Sequence, residues 1–247
     1  MEHKQDRTGK DTNTDTQISF DDYIETYKSE VDESIGFIGQ DTDFFIELKA
    51  QLLLKLAEKM LGEPSKIKAL DIGSGIGLVD RHIKHKLINL TGVDVEEKVV
   101  EKAKLNNPEV KYLWYDGVRL PFEDKSFDLC FAVNVVHHVP PVMWDNFFSE
   151  MKRVLKNGGI AAVFEHNPLN PLTKLAVKRC EFDRDAVLLS HSALKNLFIN
   201  TGFKIFDDEY IVFFPFSSGI FRSIEKMLKW LPLGAQHFVA AKKSTKN

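Results

Sequence analysis

From Lys66 to Lys242, short runs rich in β-branched and aromatic residues alternate with stretches whose apolar positions recur at helical spacing. Strands are expected over Ile67 to Gly73, Ile88 to Val95, Val110 to Asp116, Phe127 to Val136, Gly159 to His166, Phe203 to Phe214 and Gln236 to Lys242. Helices are expected over Ile76 to Lys86, Glu96 to Leu105, Val142 to Leu155, Ser192 to Thr201 and Ile220 to Trp230. Strands that alternate with helices require right-handed crossovers, so the expected class is α/β: a doubly wound, mostly parallel seven-stranded sheet covered on both faces. Ligands of such sheets lie at the carboxyl ends of the strands.

Outside that alternation the pattern changes. Met1 to Gln17 is almost wholly polar and reads as a disordered tail with no apolar signal-peptide core. Residues 18–64 read as an N-terminal helical lid, two helical stretches broken at Gly36 to Gly39, and 65–247 as one domain with insertions at about 167–190 and 215–235. The stretch Leu172 to Ser190 is long for a strand-to-helix connection and is expected to form part of a substrate cap, with Arg179, Asp183 and Arg184 read as a solvated charged face.

Composition narrows the classes. With 247 residues and 43% hydrophobic side chains, the chain can bury one substantial core. A formal charge of −3 gives no global attraction to phosphate backbones, so no nucleic-acid partner is expected. Cys130 and Cys180 fit neither a metal pair nor a disulfide framework and read as apolar fillers in a reducing, cytoplasmic protein. No apolar run approaches the ~20 residues that span a bilayer.

The strongest chemical signal is Ala69-Leu70-Asp71-Ile72-Gly73-Ser74-Gly75-Ile76-Gly77-Leu78, a strand that runs straight into a glycine-rich turn. Its spacing is GxGxG, and Leu78 stands where a dinucleotide fingerprint has its third glycine. Asp71 precedes the turn; a carboxylate there repels a pyrophosphate and attracts a sulfonium or an ammonium. Asp94 ends the second strand, where a carboxylate can accept both hydroxyls of a ribose, and Asp116 in Tyr115-Asp116-Gly117 can accept from an adenine amino group.

These residues, with the run Asp116-Gly117-Val118-Arg119-Leu120-Pro121-Phe122-Glu123-Asp124-Lys125-Ser126-Phe127-Asp128 and then Asn134-Val135-Val136-His137-His138, resemble the class I Rossmann-like S-adenosylmethionine-dependent methyltransferases that act on small molecules and lipids such as quinone precursors and sterols. The resemblance covers roughly residues 65 to 166. Lys156-Asn157-Gly158-Gly159 is similar to that family's Leu-Lys-Pro-Gly-Gly turn, with Asn157 in place of proline. The resemblance implies that Asp71, Gly73, Ser74, Gly75 and Gly77 line the methionine part of S-adenosyl-L-methionine, Asp94 the ribose, Asp116 and Gly117 the adenine, and Asn134 the methionine again, with Val95 a further cofactor contact. The cofactor would leave as S-adenosyl-L-homocysteine. Tyr27, four residues after Tyr23, is a candidate cofactor contact because helices before the sheet often close over the cofactor in that family; core packing is the competing reading. Lys49 is a weaker candidate.

For catalysis the candidates are His137 and His138 after the fourth strand, and Glu165 and His166 at the end of the fifth. Lining the cofactor pocket is the preferred reading for the histidine pair. Glu165 to Pro171 can also be no more than a rigid turn. The histidines and carboxylates show no ligand spacing, so no metal is implied. Phe213 to Leu231, aromatic and then amphipathic, can pack on the core, cap a substrate or touch a membrane or lipid-like acceptor. The expected reaction is in-line methyl transfer to an oxygen, nitrogen or carbon of a small acceptor. The alternatives are a protein that binds the cofactor without transfer, a nucleic-acid methyltransferase, disfavoured because Asn134 is not followed by Pro-Pro-aromatic, and an NAD-dependent oxidoreductase, disfavoured by Leu78.

Overall fold

In the computed structural model, residues 42–214, 224, 225 and 227–244 are described. All seven expected strands form: β1 (Lys68–Ile72), β2 (Asn89–Asp94), β3 (Lys111–Trp114), β4 (Phe127–Val133), β5 (Leu155–His166), β6 (Phe203–Ile211) and β7 (Gln236–Lys243). They make one sheet in the order β3-β2-β1-β4-β5-β7-β6. The first five run parallel, and β7 lies antiparallel to both β5 and β6. The chain winds outward from β1 through β2 to β3 on one side and through β4 to β5 on the other. The reversal point between β1 and β4 opens a crevice at the carboxyl ends of the strands.

Six described helices cover the sheet: α1 (Thr42–Leu61), α2 (Asp80–Ile83), α3 (Glu97–Asn106), α4 (Trp144–Val154), α5 (Pro171–Arg179) and α6 (His191–Asn200). Alternation along the strands sends successive residues to opposite layers. Ala69, Leu129, Phe131, Ala162, Phe164 and Phe238 face one core with α1 and α3, while Leu70, Ile72, Cys130, Ala132, Val163 and Val239 face the other with α4 and α6. Both cysteines are buried and free, as apolar fillers would be.

Several expected boundaries move, each for a local reason. The helix expected over Ile76 to Lys86 contracts to the single turn α2, because Gly77 holds φ at +77° and a helix cannot start until the chain has passed it. β4 stops at Val133, since Asn134 adopts φ 57° and turns the chain out of the sheet; asparagine tolerates this region better than most residues. β6 stops at Ile211, before Val212 at φ 62°. Of the expected lid, α1 is seen as one continuous helix, whereas Tyr23, Tyr27 and the break at Gly36 to Gly39 lie outside the described residues. So does much of the segment 213–231; of its described part, Met227 and Trp230 are exposed. No helix among the described residues is long and apolar enough to cross a membrane.

The long link from β3 to β4 is built around one arginine. Arg153, on the last turn of α4, donates from Nη1 to the Phe122 carbonyl at 2.7 Å and to Asp124 Oδ1 at 2.9 Å. From Nη2 it donates to the Leu120 carbonyl at 2.9 Å and to Glu150 Oε2 at 2.7 Å. Phe122 packs edge-on against Phe127 at 4.8 Å between ring centroids, and Ser126 Oγ donates to the Glu123 carbonyl at 2.7 Å. The string Leu120 to Phe127 is thus a scaffold that carries the chain from the ligand edge of the sheet back to the start of β4. Arg153→Met keeps the aliphatic stem but removes the Arg153 donor from the Phe122 carbonyl and from the Glu150 carboxylate, while the Leu120 carbonyl keeps the Phe122 N–H; it should lower the unfolding free energy by about 1–3 kcal/mol in a denaturant melt.

Candidate functional site

At the carboxyl ends of β1, β2, β4 and β5 lies a cavity of about 540 Å³, closed over by α1 on one side and by α5 with the following turn Glu181–Asp183 on the other. One end is floored by the glycine turn. Gly73, at φ +78°, lies so close to Val135 that an added Cβ would sit 2.5 Å from its Cγ1, so β1 and β4 approach each other only with glycine there. Gly75 differs: a Cβ built on it would meet nothing within 4 Å and would project into open space. Its backbone N–H donates to Asp94 Oδ2 at 2.8 Å, and the Glu96 N–H donates to Asp94 Oδ1 at 3.2 Å. The ribose-type carboxylate is therefore pinned to the turn it faces.

Asp71, Ser74, Asn134 and Gln236 line the cavity, and Asp71 Oδ1, Ser74 Oγ, Asn134 Oδ1 and Gln236 Oε1 are buried with no hydrogen-bond partner among the described residues. Buried polar atoms without partners are rare in folded proteins and call for a ligand or water. Asp71 alternates with Leu70 and so faces the α1 layer, where it meets Asp80. Tyr112 donates its hydroxyl to Asp80 Oδ2 at 2.6 Å and receives from Asn107 Nδ2 at 3.1 Å. Burial first, then the neighbouring Asp80 charge, pushes Asp71 well above the usual carboxylate range; burial raises Asp80 to about 6 against the Tyr112 hydrogen bond. Even with Lys84 acting on Asp80, the two carboxyls cannot both ionise cheaply.

The other end of the cavity is lined by histidines. Glu165 is fully buried and accepts three hydrogen bonds: from Val135 N–H at 3.2 Å and Val136 N–H at 2.7 Å on Oε1, and from His137 Nδ1 at 2.5 Å on Oε2. Burial pushes Glu165 up, but the His137 charge and hydrogen bond outweigh it and hold the carboxyl below its usual range. Glu165 is consumed in positioning and is no free base. His137 Nε2 lies 3.5 Å from Asp183 Oδ1, and His138 Nε2 lies 3.4 Å from the same oxygen. Burial alone would neutralise His137, yet Glu165 and Asp183 bring it up to about 9. Burial and then the His137 charge lower His138, and the same two causes take His166 down to about 3. His166 stands 5.2 Å from His137 between ring centroids.

The structure brings together Asp71, Gly73, Ser74, Gly75, Asp94, Val95, Gly117, Asn134, His137, His138 and His166 around one cavity. It does not bring in three others. Asp116 is exposed and turned away, its Oδ1 accepting from Val118 N–H and Arg119 N–H at 2.9 Å each, so it caps its own loop. Gly77 supports the turn from behind, and Glu165 sits beneath His137. Asp183, read from the sequence as part of a solvated face, is instead 15% exposed and in the cavity wall. Of the other two charged residues there, Arg184 is exposed and paired with Glu181. Lys49 lies on the apolar stripe of α1 with Ile46, Ala50 and Leu53, lines the cavity, and is lowered by burial to about 8 with Glu165 opposing. Gln236, which pairs with His166 across β5 and β7, was not singled out from the sequence; only the strand pairing places it at the ligand edge. Asn167 and Asn170 tie down their segment: Asn170 Oδ1 caps α5 by accepting from Leu172 N–H at 2.9 Å, and Asn167 Nδ2 donates to the Gly234 carbonyl at 2.7 Å.

Residues 70–163 match the methyltransferase domain family. A sterol 24-C-methyltransferase of Gibberella zeae is 33% identical over 112 residues, which is 42% of this chain and 29% of that protein. A sterol 4-C-methyltransferase of Caenorhabditis elegans is 29% identical over 66% of this chain and 48% of its own length. The chain thus spans less than half the length of these relatives. Among solved structures, an S-adenosylmethionine-dependent methyltransferase of Mesorhizobium loti superposes with a TM-score of 0.56 at 22% identity, covering 76% of this chain and 96% of that one, which shows the shared fold.

A carboxyl whose folded-state pKa is raised costs stability once the pH exceeds its unfolded value, and the cost grows until the folded pKa is passed. For Asp80 that window runs from 3.8 to about 6, and the Asp71 shift has the same sign. Asp71→Asn removes one of the two like charges. It should raise the unfolding free energy of the ligand-free protein by about 1–2 kcal/mol near pH 8, with the gain shrinking toward pH 4. Denaturant melts across that range measure it; destabilisation near pH 8 contradicts the like-charge account.

Proposed function

Because this chain carries a class I S-adenosylmethionine-dependent methyltransferase domain, we propose that it transfers a methyl group from S-adenosylmethionine to one nucleophilic atom of a small, largely apolar acceptor. The observation that carries this reading is the row of unpartnered buried oxygens on Asp71, Ser74 and Asn134 beside the open floor at Gly75. These are acceptors placed to receive the ammonium and sulfonium end of the cofactor, with the Asp94 carboxylate for the ribose and Gly117 and Val95 beside the adenine. Asp116 is better suited to shaping that loop than to touching the base. A cation at this end also relieves the strained Asp71–Asp80 pair, so the site discriminates against pyrophosphate by charge.

The cofactor, once bound, supplies a methyl group on a good leaving group. The chain's part is to hold the acceptor in line with it and to accept a proton where the acceptor loses one. Glu165 holds His137 at Nδ1 and so positions it. The His166 imidazole, which burial holds neutral, is the candidate for receiving the proton. Phe45, Ile46, Val139, Met143, Val177 and Phe182 make the rest of this compartment apolar, in keeping with a lipid-like or ring-bearing acceptor. The relatives named for sterols favour the same class. The exposed Met227 and Trp230 add a surface where such a molecule, or the membrane it comes from, can be met.

Titration calorimetry with S-adenosylhomocysteine tests the cofactor half. Saturable binding is expected in the micromolar range, weakened at least about tenfold by Asp94→Ala through loss of two ribose hydrogen bonds. No heat at millimolar ligand overturns the reading. Incubation of the chain with methyl-labelled cofactor and a lipid extract tests the acceptor half: label in an organic-soluble product supports it, and label only in aqueous products or nucleic acid contradicts it.

A further inference from the structure

The acceptor end of the cavity has a feature that methyl transfer does not need. His137 Nε2, His138 and Asp183 offer ligand atoms that lie within 4.8 Å of one another. His137 is 1% exposed, and its Nε2 has no hydrogen-bond partner among the described residues. At 3.5 Å and 3.4 Å, the two Nε2 to Asp183 Oδ1 separations are long for hydrogen bonds. They are the right length for the edges of a tetrahedron around an ion: ligand bonds of about 2.0–2.1 Å put tetrahedral ligands about 3.3–3.4 Å apart. The far side of His137 completes the pattern. Its Nδ1 is held at 2.5 Å by the buried Glu165, which is itself anchored by the Val135 and Val136 N–H groups. A histidine that binds metal through one nitrogen almost always has its other nitrogen fixed by a carboxylate or carbonyl in this way.

We propose that His137 Nε2, His138 Nε2 and Asp183 bind a divalent first-row transition metal ion, zinc being the first candidate, with Glu165 as the outer carboxylate that orients His137. Two imidazoles and one carboxylate suit zinc or iron(II) better than magnesium or calcium, which favour all-oxygen sets. Three protein ligands leave at least one position open, and all three residues line the cavity. The open position therefore faces the acceptor. This inference rests on the acceptor compartment of the proposed function and deepens it: the acceptor would carry a hydroxyl or carboxylate oxygen that coordinates the ion. Coordination would lower the pKa of a hydroxyl without any basic side chain.

The separate positions of the ligands explain why spacing along the chain does not reveal the set. Two adjacent histidines cannot be told from a packed pair, and the carboxylate comes from the turn after α5.

Cobalt(II) serves as the probe, because it occupies zinc sites and its visible absorption reports coordination by nitrogen and oxygen. The full chain, stripped with chelator and titrated with cobalt(II), is expected to take up one ion with new visible absorption that zinc bleaches. His138→Ala and Asp183→Asn, both at partly solvated positions, should each weaken binding at least about tenfold; Glu165→Gln should weaken it about 10- to 100-fold. The absence of new absorption, or full affinity retained in both His138→Ala and Asp183→Asn, overturns the site. S-adenosylhomocysteine binding is measured on the same stripped wild-type sample. Cofactor binding without cobalt uptake refutes the metal site alone, and failure of cofactor binding refutes the reading beneath it.

Discussion

The buried Glu165 carboxylate is the constraint around which the site is organised. It stands at the end of β5 and accepts from two consecutive backbone N–H groups where the chain leaves β4, and from His137 just beyond. A charge with no access to water is tolerable only when every lone pair that matters is met, and here the partners are supplied by the neighbouring strand. That bond set joins the ends of β4 and β5, fixes the turn through Asn134 and aims the outer nitrogen of His137 at Asp183. The place of His137 in the cavity wall follows from it.

At the other end of the cavity the logic is reversed. Asp71 and Asp80 are placed where their ionised forms repel, with Tyr112 satisfying one oxygen and nothing described satisfying Asp71 Oδ1. A protein selected for stability alone would put an amide or an apolar residue there. Two carboxyls at the floor of a cavity carry a like-charge cost that a cation placed beside them would reduce. The two ends of the cavity therefore differ: the Glu165 carboxylate beneath one is satisfied, and Asp71 Oδ1 at the other has no partner among the described residues.

The likeness to known methyltransferases follows this division. The family match covers residues 70–163, which hold the glycine turn, Asp94, the Arg153 scaffold and the histidine pair. It stops short of Glu165, α5, Asp183 and Gln236, which close the acceptor end. The part shared with that family thus holds the glycine-turn end of the cavity, and the remainder lies where insertions can change without disturbing the sheet.

The sequence by itself determined the sheet and the glycine turn that floors one end of the cavity. Alternation of short β-rich runs with helices is a local property, and so is a glycine turn preceded by an aspartate, so seven strands, Asp71, Asp94 and the floor at Gly75 were all legible. Boundaries slipped where a single backbone angle decided them, at Gly77, Asn134 and Val212. Only the tertiary structure decided the roles of individual charged groups, because those depend on neighbours distant in the chain. Asp116 turned outward to cap its own loop, Glu165 became a buried anchor, and Asp183 moved from an assumed solvated face into the cavity wall. Periodicity reports which face a residue occupies; it carries no information about what is packed opposite, and burial and pairing with a remote partner fix whether a carboxylate builds, binds or merely dissolves.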